Sequence, residues 1–516
     1  MPRWFNTAGP CNPSKHYMLS PTERLPSWAR LIDQESYFVL HAPRQTGKTT
    51  AMLALAEQLT QSGRYAAVVL SVEVGAPITQ DLDQAEQAIL SAWKWTAQVR
   101  LPRELHPPEW SQLEPGARLR QALQQWAQIS PRPLVIFIDE IDALQDDVLL
   151  STLRQLRDGY PNRPEAFPQS VALVGLRDVR DYKVAAGGSG RLNTASPFNI
   201  KVRSFTLRNF TVSEVGHLYA QHTQDTGQAF TAAAQQRAFE LSQGQPWLVN
   251  ALAKEAVEEL VNDASAEVTA DLIEQAKEHL IQRQDTHLDS LAERLRESRV
   301  RTIIEPMIAG QDLGNVAPDD IQYVLDLGLC RLDERGGLVI ANPIYREILP
   351  KMLAFTTVAS LAYVNPTWLT PAGQLDVQQL LNSFLTFWRQ HGQPLFASAP
   401  YHEIAPHIVL MAFLHRVVNG GGTLEREYAI GTDRLDLCLR YGEVTLAMEL
   451  KVWREGRPDH LEAGLKQLDK YLAGLGLDQG WLVIFDRRDQ ALSIAERTIT
   501  EAATTSNGRQ ITVIRG

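Results

Sequence analysis

The stretch Ser36–Thr50, SYFVLHAPRQTGKTT, decides how this 516-residue chain is read. Tyr37 to Leu40 is a short apolar run with the character of a buried strand, and Ala51 to Leu59 is an Ala/Leu-rich helical stretch. Between them lie Ala42, Pro43, Arg44, Gln45, Thr46, Gly47, Lys48, Thr49 and Thr50. A strand, a glycine-bearing loop and a helix form the context of a phosphate-binding loop, in which backbone N–H groups at the helix start face an anion. Lys48 is placed to reach the β- and γ-phosphates of a nucleotide, and the Thr49 hydroxyl to hold Mg²⁺. Ala42 stands where such loops usually begin with glycine, and an alanine there has no easy access to positive φ. The plain alternative is an ordinary strand-to-helix turn that happens to read Gly-Lys-Thr.

A chain of this length predicts roughly three or four domains. With 44% hydrophobic and 21% charged residues it can bury sizeable cores. The net charge of −10 argues against wholesale coating of nucleic acid but leaves room for a local basic groove. The three cysteines, Cys11, Cys330 and Cys438, are far apart and form no metal-binding pattern, which fits a reducing cytoplasmic setting. The N-terminus has no signal-peptide core, and no apolar run is long enough to span a bilayer, so no membrane partner is expected.

Leu134-Val-Ile-Phe-Ile138 ends in Asp139-Glu140. Five apolar residues before two acids predict a buried parallel strand whose carboxyl end meets the ligand. Downstream of Lys48, this pair resembles the Walker B segment of hydrolysis-competent AAA+ and STAND-type ATPases. The resemblance implies that ATP is the nucleotide, that Asp139 holds the Mg²⁺ water shell and that Glu140 polarises the attacking water. Val171 to Gly175 reads as the next strand, which in AAA+ proteins lies between the Walker B strand and the phosphate loop. Arg177 at its tip is placed either to sense the γ-phosphate or to pair with Asp178 or Asp181. Asn199 to Leu207 reads as the last core strand. Ahead of the loop, Tyr17 or Met18 is available to stack on adenine, or simply to cap the sheet edge. Gly244-Gln245-Pro246 opens a helix and is similar to a lid motif of STAND and archaeal-type AAA ATPases, where it packs near adenine. An arginine finger such as Arg157, Arg163 or Arg180, acting across a homo-oligomer, is a further implication of that resemblance.

Helices at Arg299 to Ile308 and Pro318 to Leu327, followed by a hairpin through Asp333–Gly337, predict a winged-helix-like module. The expected organisation is therefore an ATPase core over 1–207, a helical lid over 208–285, the winged-helix-like module over 286–356, a linker over 357–374 and an α/β domain over 375–516.

The last domain holds a second chemical pattern. A two-residue turn at Gly442-Glu443 sets Asp436 opposite Glu449, with Leu437 opposite Met448 and Leu439 opposite Leu446. One face is then apolar and the other carries acids. Period-two alternation puts Lys451 on the face of Glu449. Two carboxylates and a lysine at one point suit a Mg²⁺ site, with Mn²⁺ as an alternative metal, for phosphodiester hydrolysis. Asp436, twelve residues, then Glu449-Leu-Lys451 resembles the PD-(D/E)xK nuclease superfamily. Gln467 and Tyr471 share a helix face and are similar to the QxxxY motif of RecB-type nucleases, which contacts substrate and the catalytic lysine. The leading proline of that family is replaced by Leu435. Glu403 sits where such folds often add an acid ligand, or is a solvated helix charge. Arg434 and the Trp453-Arg454-Glu-Gly-Arg457 loop are candidate phosphate contacts or ordinary surface charges.

The whole chain resembles bacterial fusions of an AAA+/STAND-like ATPase to a restriction-endonuclease-like α/β domain. The resemblance implies an ATP-gated, Mg²⁺-dependent DNase acting in defence against phage or mobile DNA. The competing expectation is an ATP-dependent signalling or scaffold switch whose nuclease-like domain is inactive. A DNA translocase is disfavoured because no helicase-type motifs occur.

Overall fold

The computed structural model describes residues 3–516 other than 21–23, 26–27, 178–197, 199, 262, 264, 284–290, 292, 309–312, 361–366, 399–404, 419–421, 431–432, 454, 457, 487 and 489–492. Also outside it are the side chains of 282, 351, 353–360, 391–398, 405, 408, 412, 416, 426–430 and 433–435. The chain forms two compact units. The first is Met1–His287 with Ala317–Pro343, and the second is Leu288–Val316 with Ile344–Gly516. The expected module over 286–356 is thus divided between them.

In the first unit the apolar runs become a five-stranded parallel sheet. Its strands are β1 (Tyr37–His41), β2 (Ala66–Ser71), β3 (Leu134–Asp139), β4 (Ser170–Gly175) and β5 (Lys201–Thr206), in the order β2-β3-β4-β1-β5. Every residue of β3 and β4 is buried, because helices cover both faces of a parallel sheet. Tyr37, Val39, Ile136, Ile138 and Leu173 pack on one face with Trp93 and Trp126 from the helices Leu82–Arg100 and Arg118–Ile129. Each indole finds a carbonyl, Ser71 for Trp93 and Leu105 for Trp126. Phe38, Leu40, Val135, Phe137 and Val174 face the other way, against Met52 and Leu55 of the helix Lys48–Gln61.

The helices Val212–Thr226, Ala232–Ser242, Pro246–Lys254 and Ala270–Arg283 follow. Thr211 and Glu214 make a reciprocal capping box at the first of them. Residues 3–18 strap onto this helical layer. Phe5 and Tyr17 are buried among Tyr219, His222 and Phe230. Tyr17 is therefore a packing residue rather than a surface for adenine. The Gln221 side chain bonds both the N–H and the C=O of Met18.

The second unit contains a six-stranded mixed sheet, ordered β12-β13-β11-β10-β9-β8. Its strands are β8 (Gly422–Ile430), β9 (Asp433–Tyr441), β10 (Val444–Trp453), β11 (Gln479–Asp486), β12 (Ile499–Thr504) and β13 (Gln510–Arg515). The β9–β10 hairpin pairs Leu437 with Met448 and Leu439 with Leu446, as the two-residue turn predicts, and Gly442 takes the required positive φ of 57°. Met448, Leu450, Trp481 and Val483 pack on one face with Phe384, Trp388 and Phe413 of the helices Val377–Ser398 and Ala405–Val418. The opposite face meets Leu468, Tyr471 and Leu472 of the helix Leu461–Leu475. Sequence periodicity predicts only a helix between β11 and β13. The structure adds β12, an edge strand whose residues are mostly exposed and so leave no apolar alternation to read. Among the described residues, no helix is long and apolar enough to cross a membrane.

Candidate functional site

The first site forms where β1 and β3 end. The helix Lys48–Gln61 starts directly after Gly47, whose φ of 89° only glycine adopts readily. Gln45 carries the other positive φ of the loop, at 58°. Ala42 is not among the positive-φ residues and is buried in the core. The chain therefore dispenses with glycine at that position.

Thr49 Oγ1 donates to Asp139 Oδ2 at 2.7 Å, joining the loop helix to the end of β3. Lys48 Nζ donates to the carbonyls of Ala42 and Pro43 at 2.8 and 2.9 Å. Burial lowers the Lys48 pKa, opposed by the carboxylates of Asp142, Glu140 and Asp139. Glu140 follows the strand in a left-handed conformation with φ 58°. Burial, and then repulsion from Asp139 and Asp142, raises its pKa, while Lys48 pulls it down. Asp142 Oδ1 accepts from Leu176 N at 3.0 Å, which ties the end of β4 to the segment after β3.

Thr46 is buried, and its hydroxyl donates to the Pro43 carbonyl at 2.9 Å. Arg44 and Gln45 are exposed. Thr50 Oγ1 is taken by the N–H of Cys11 at 3.1 Å, so the N-terminal strap touches the start of the loop helix. Pro246 is buried at the first turn of its helix, capped by the Gln245 side chain, and Trp247 donates to the Thr7 carbonyl. Arg177, at the tip of β4, stacks on Tyr323 with its guanidinium 4.8 Å from the ring centroid. Asp178, Asp181 and Arg180 lie outside the described residues.

Two features here had no signal in the sequence. Arg24, only 5% exposed, donates to the Thr46 carbonyl at 3.2 Å and to the Arg208 carbonyl. It joins the phosphate-loop backbone to the start of the helical layer, and burial lowers its pKa to about 10. Gly328, after the helix Pro318–Asp326, packs on the loop itself. A Cβ there would lie 2.6 Å from Pro43 Cγ.

The second site lies on the helix-covered face of β10 in the other unit. Lys451 Nζ donates to Glu449 Oε1 at 2.7 Å and to Gln467 Oε1 at 3.0 Å. Gln467 Nε2 in turn donates to the Tyr471 hydroxyl at 2.8 Å. Asp436 Oδ2 accepts from Leu450 N at 2.8 Å, which fixes it beside Glu449. The Glu449 side chain is 0% exposed, and its Oε2 has no donor among the described residues. Burial, and then the neighbouring Asp436 charge, pushes the Glu449 pKa up to about 8, against the pull of Lys451. All five of Asp436, Glu449, Lys451, Gln467 and Tyr471 therefore converge, although they come from two strands and a helix. A buried carboxylate oxygen without a donor, next to a second carboxylate, fits a hard cation. Among the described residues, no three His, Cys, Asp or Glu side chains group as a metal cage. Two carboxylates are enough for Mg²⁺, which usually keeps waters and substrate phosphates as its other ligands. Glu403, Arg454 and Arg457, and the Arg434 side chain, lie outside the described residues.

Comparison with known proteins bears on the first site. Residues 31–182 match the sequence model of a family described as AAA domain. Among solved structures, the chain is similar to a Walker-type ATPase of Pyrococcus abyssi, with 12% identity over 66% of this chain and 98% of that one, at a TM-score of 0.46. It is also similar to the RuvB Holliday junction branch migration motor of Thermotoga maritima, with 16% identity over 62% and 90% of the two chains, at a TM-score of 0.34. A search of curated proteins finds no match. With the parallel sheet, the loop at Lys48 and the Thr49–Asp139 contact in place, residues 31–182 form an AAA-type P-loop ATPase domain.

Proposed function

We propose that this protein hydrolyses ATP at the first site and uses the nucleotide state to gate a Mg²⁺-dependent DNA phosphodiesterase at the second, in defence against phage or mobile DNA. ATP is held by the backbone of residues 42–50, with Lys48 on its β- and γ-phosphates. Thr49 and Asp139 are the magnesium-side ligands, and their 2.7 Å contact supports the pairing. Glu140 orients and deprotonates the attacking water, and its raised pKa makes it a stronger base than an ordinary carboxylate.

The observation that carries the nuclease half is the Lys451–Gln467–Tyr471 chain ending on a buried Glu449 with an oxygen that lacks a donor among the described residues. Asp436 and Glu449 hold the cation, which when bound supplies Lewis-acid stabilisation of the phosphate charge. Lys451, fixed between Glu449 and Gln467, positions the nucleophilic water. Gln467 and Tyr471 keep the lysine aimed. The connection to defence rests on the resemblance of the whole chain to bacterial ATPase–nuclease fusions.

The test uses purified full-length protein with plasmid and linear DNA, with and without ATP and with Mg²⁺ or Mn²⁺. Wild type cleaves in an ATP-dependent manner, Glu449→Ala abolishes cleavage, and Lys48→Ala abolishes its ATP dependence. A wild type that never cleaves, together with biological activity that survives Glu449→Ala but not Lys48→Ala, replaces the nuclease with an ATP-driven switch.

A further inference from the structure

Trp453 closes β10 two residues beyond Lys451, so period-two alternation puts it on the face of Glu449 and Lys451, roughly 7 Å along the strand from the lysine. In the parallel register, Trp453 sits opposite Asp486 at the end of β11. Asp486 holds Arg488 by two side-chain bonds, Nε to Oδ1 at 2.9 Å and Nη2 to Oδ2 at 2.7 Å. Its Oδ1 also accepts the Arg488 N–H at 3.1 Å. The guanidinium so fixed lies over the Trp453 ring, its Cζ 3.5 Å from the centroid. The Arg488 side chain is 36% exposed.

We propose that Arg488, laid on Trp453, is a stacking platform for an unpaired nucleobase next to the scissile phosphate, which makes single-stranded or locally unpaired DNA the substrate class. This rests on the nuclease assignment of the neighbouring site. The chemistry favours a base over a phosphate. The Arg488 charge is already matched by a bidentate carboxylate, and Glu455 and Asp459 lie close enough to act on it, so a further anion gains little. The Arg488 side chain keeps 36% of its surface exposed, and arginine planes stack on bases that have left the duplex. Bases inside a duplex keep their faces against each other and cannot use it.

The experiment measures binding and cleavage separately. Binding is read by fluorescence polarisation of labelled single-stranded and blunt duplex oligonucleotides on full-length Glu449→Gln protein, with Trp453→Ala and Arg488→Lys added in turn. Arg488→Lys keeps the charge and removes the plane. Both changes weaken single-strand binding about tenfold, within the range for loss of one stacked base, and leave duplex binding unchanged. Unaltered single-strand affinity in Arg488→Lys, or equal losses on both DNAs, overturns the platform. Arg488→Lys alone decides if Trp453→Ala fails to fold. Cleavage by wild type in Mg²⁺ is scored independently. Absent cleavage with an intact single-strand loss removes the nuclease and keeps the platform, and cleavage without that loss does the reverse.

Discussion

Thr49 and Asp139 are ninety residues apart in the chain, yet their side chains meet at 2.7 Å between the phosphate loop and the end of β3. Glu140 follows directly, outside the strand and in a left-handed conformation, and under the proposed function Thr49 and Asp139 would share one magnesium ion. Glu140→Gln keeps the shape and the nucleotide contacts while removing the base. ATP binding, measured with a fluorescent analogue, stays near wild type. Phosphate release falls by about a hundredfold or more, as expected for loss of a general base. Lys48→Ala instead abolishes binding.

Half-buried Lys451 pairs with fully buried Glu449 at 2.7 Å, and the second Glu449 oxygen has no donor among the described residues. Lys451→Met removes the only cation bonded to that carboxylate among the described residues. With its pKa already raised to about 8, the carboxyl stays protonated across neutral pH once the lysine is gone, which keeps the cost near the low end for a broken buried pair, about 3 kcal/mol. Adding Glu449→Gln to Lys451→Met recovers most of it. Denaturant unfolding of the four proteins, read as a double-mutant cycle, checks the coupling.

Glu214 joins the Thr211 capping box and receives both Nη1 and Nη2 of Arg208. The Arg208 hydrogen bonds come first in pulling its pKa down, to about 2. A carboxylate held below its usual value of 4.5 contributes stability that is fully present above that pH. The contribution fades as pH falls from about 4.5 through about 2. Acid unfolding of the first unit is therefore less steep in Glu214→Gln across this window. At neutral pH that variant, whose glutamine still closes the capping box, loses about 1 kcal/mol or less, the range for a solvent-screened ion pair.

Gly244 combines a φ of 70° with a backbone wall. An added Cβ would sit 1.9 Å from the Phe210 carbonyl oxygen, while Gly244 O already accepts the Phe210 N–H at 2.8 Å. Gly244→Ala lowers the stability of the first unit by at least about 1–3 kcal/mol from backbone strain alone. The readout is the thermal midpoint. Gly227→Ala, which has a similar φ but nothing within 4 Å, gives a smaller loss.

Much of both sites is written locally. Alternation and turn chemistry specify the β9–β10 register, because a one-residue slip would expose Leu437, Leu439, Leu446 and Met448 together. The loop from Ala42 to Thr50 is legible for the same reason: strand, glycine and helix start are neighbours in sequence. Ala42 departs from the usual glycine, yet the left-handed conformations of the loop fall on Gln45 and Gly47. Tyr17 is open to an adenine on sequence alone, but aromatic packing in the tertiary structure claims it.

Local sequence specifies the chemical groups and their short-range geometry: Lys48 after Gly47, Glu140 after Asp139, and Lys451 one alternation from Glu449. Tertiary structure alone decided the contacts among groups far apart in the chain. Arg24 reaches Thr46 and Arg208, Gly328 packs on Pro43, and Asp486 holds Arg488 over Trp453. The physical reason is range. Turn and strand preferences act over a few residues, whereas these contacts exist because buried faces of sheet and helix close on one another and bring the groups within bonding distance.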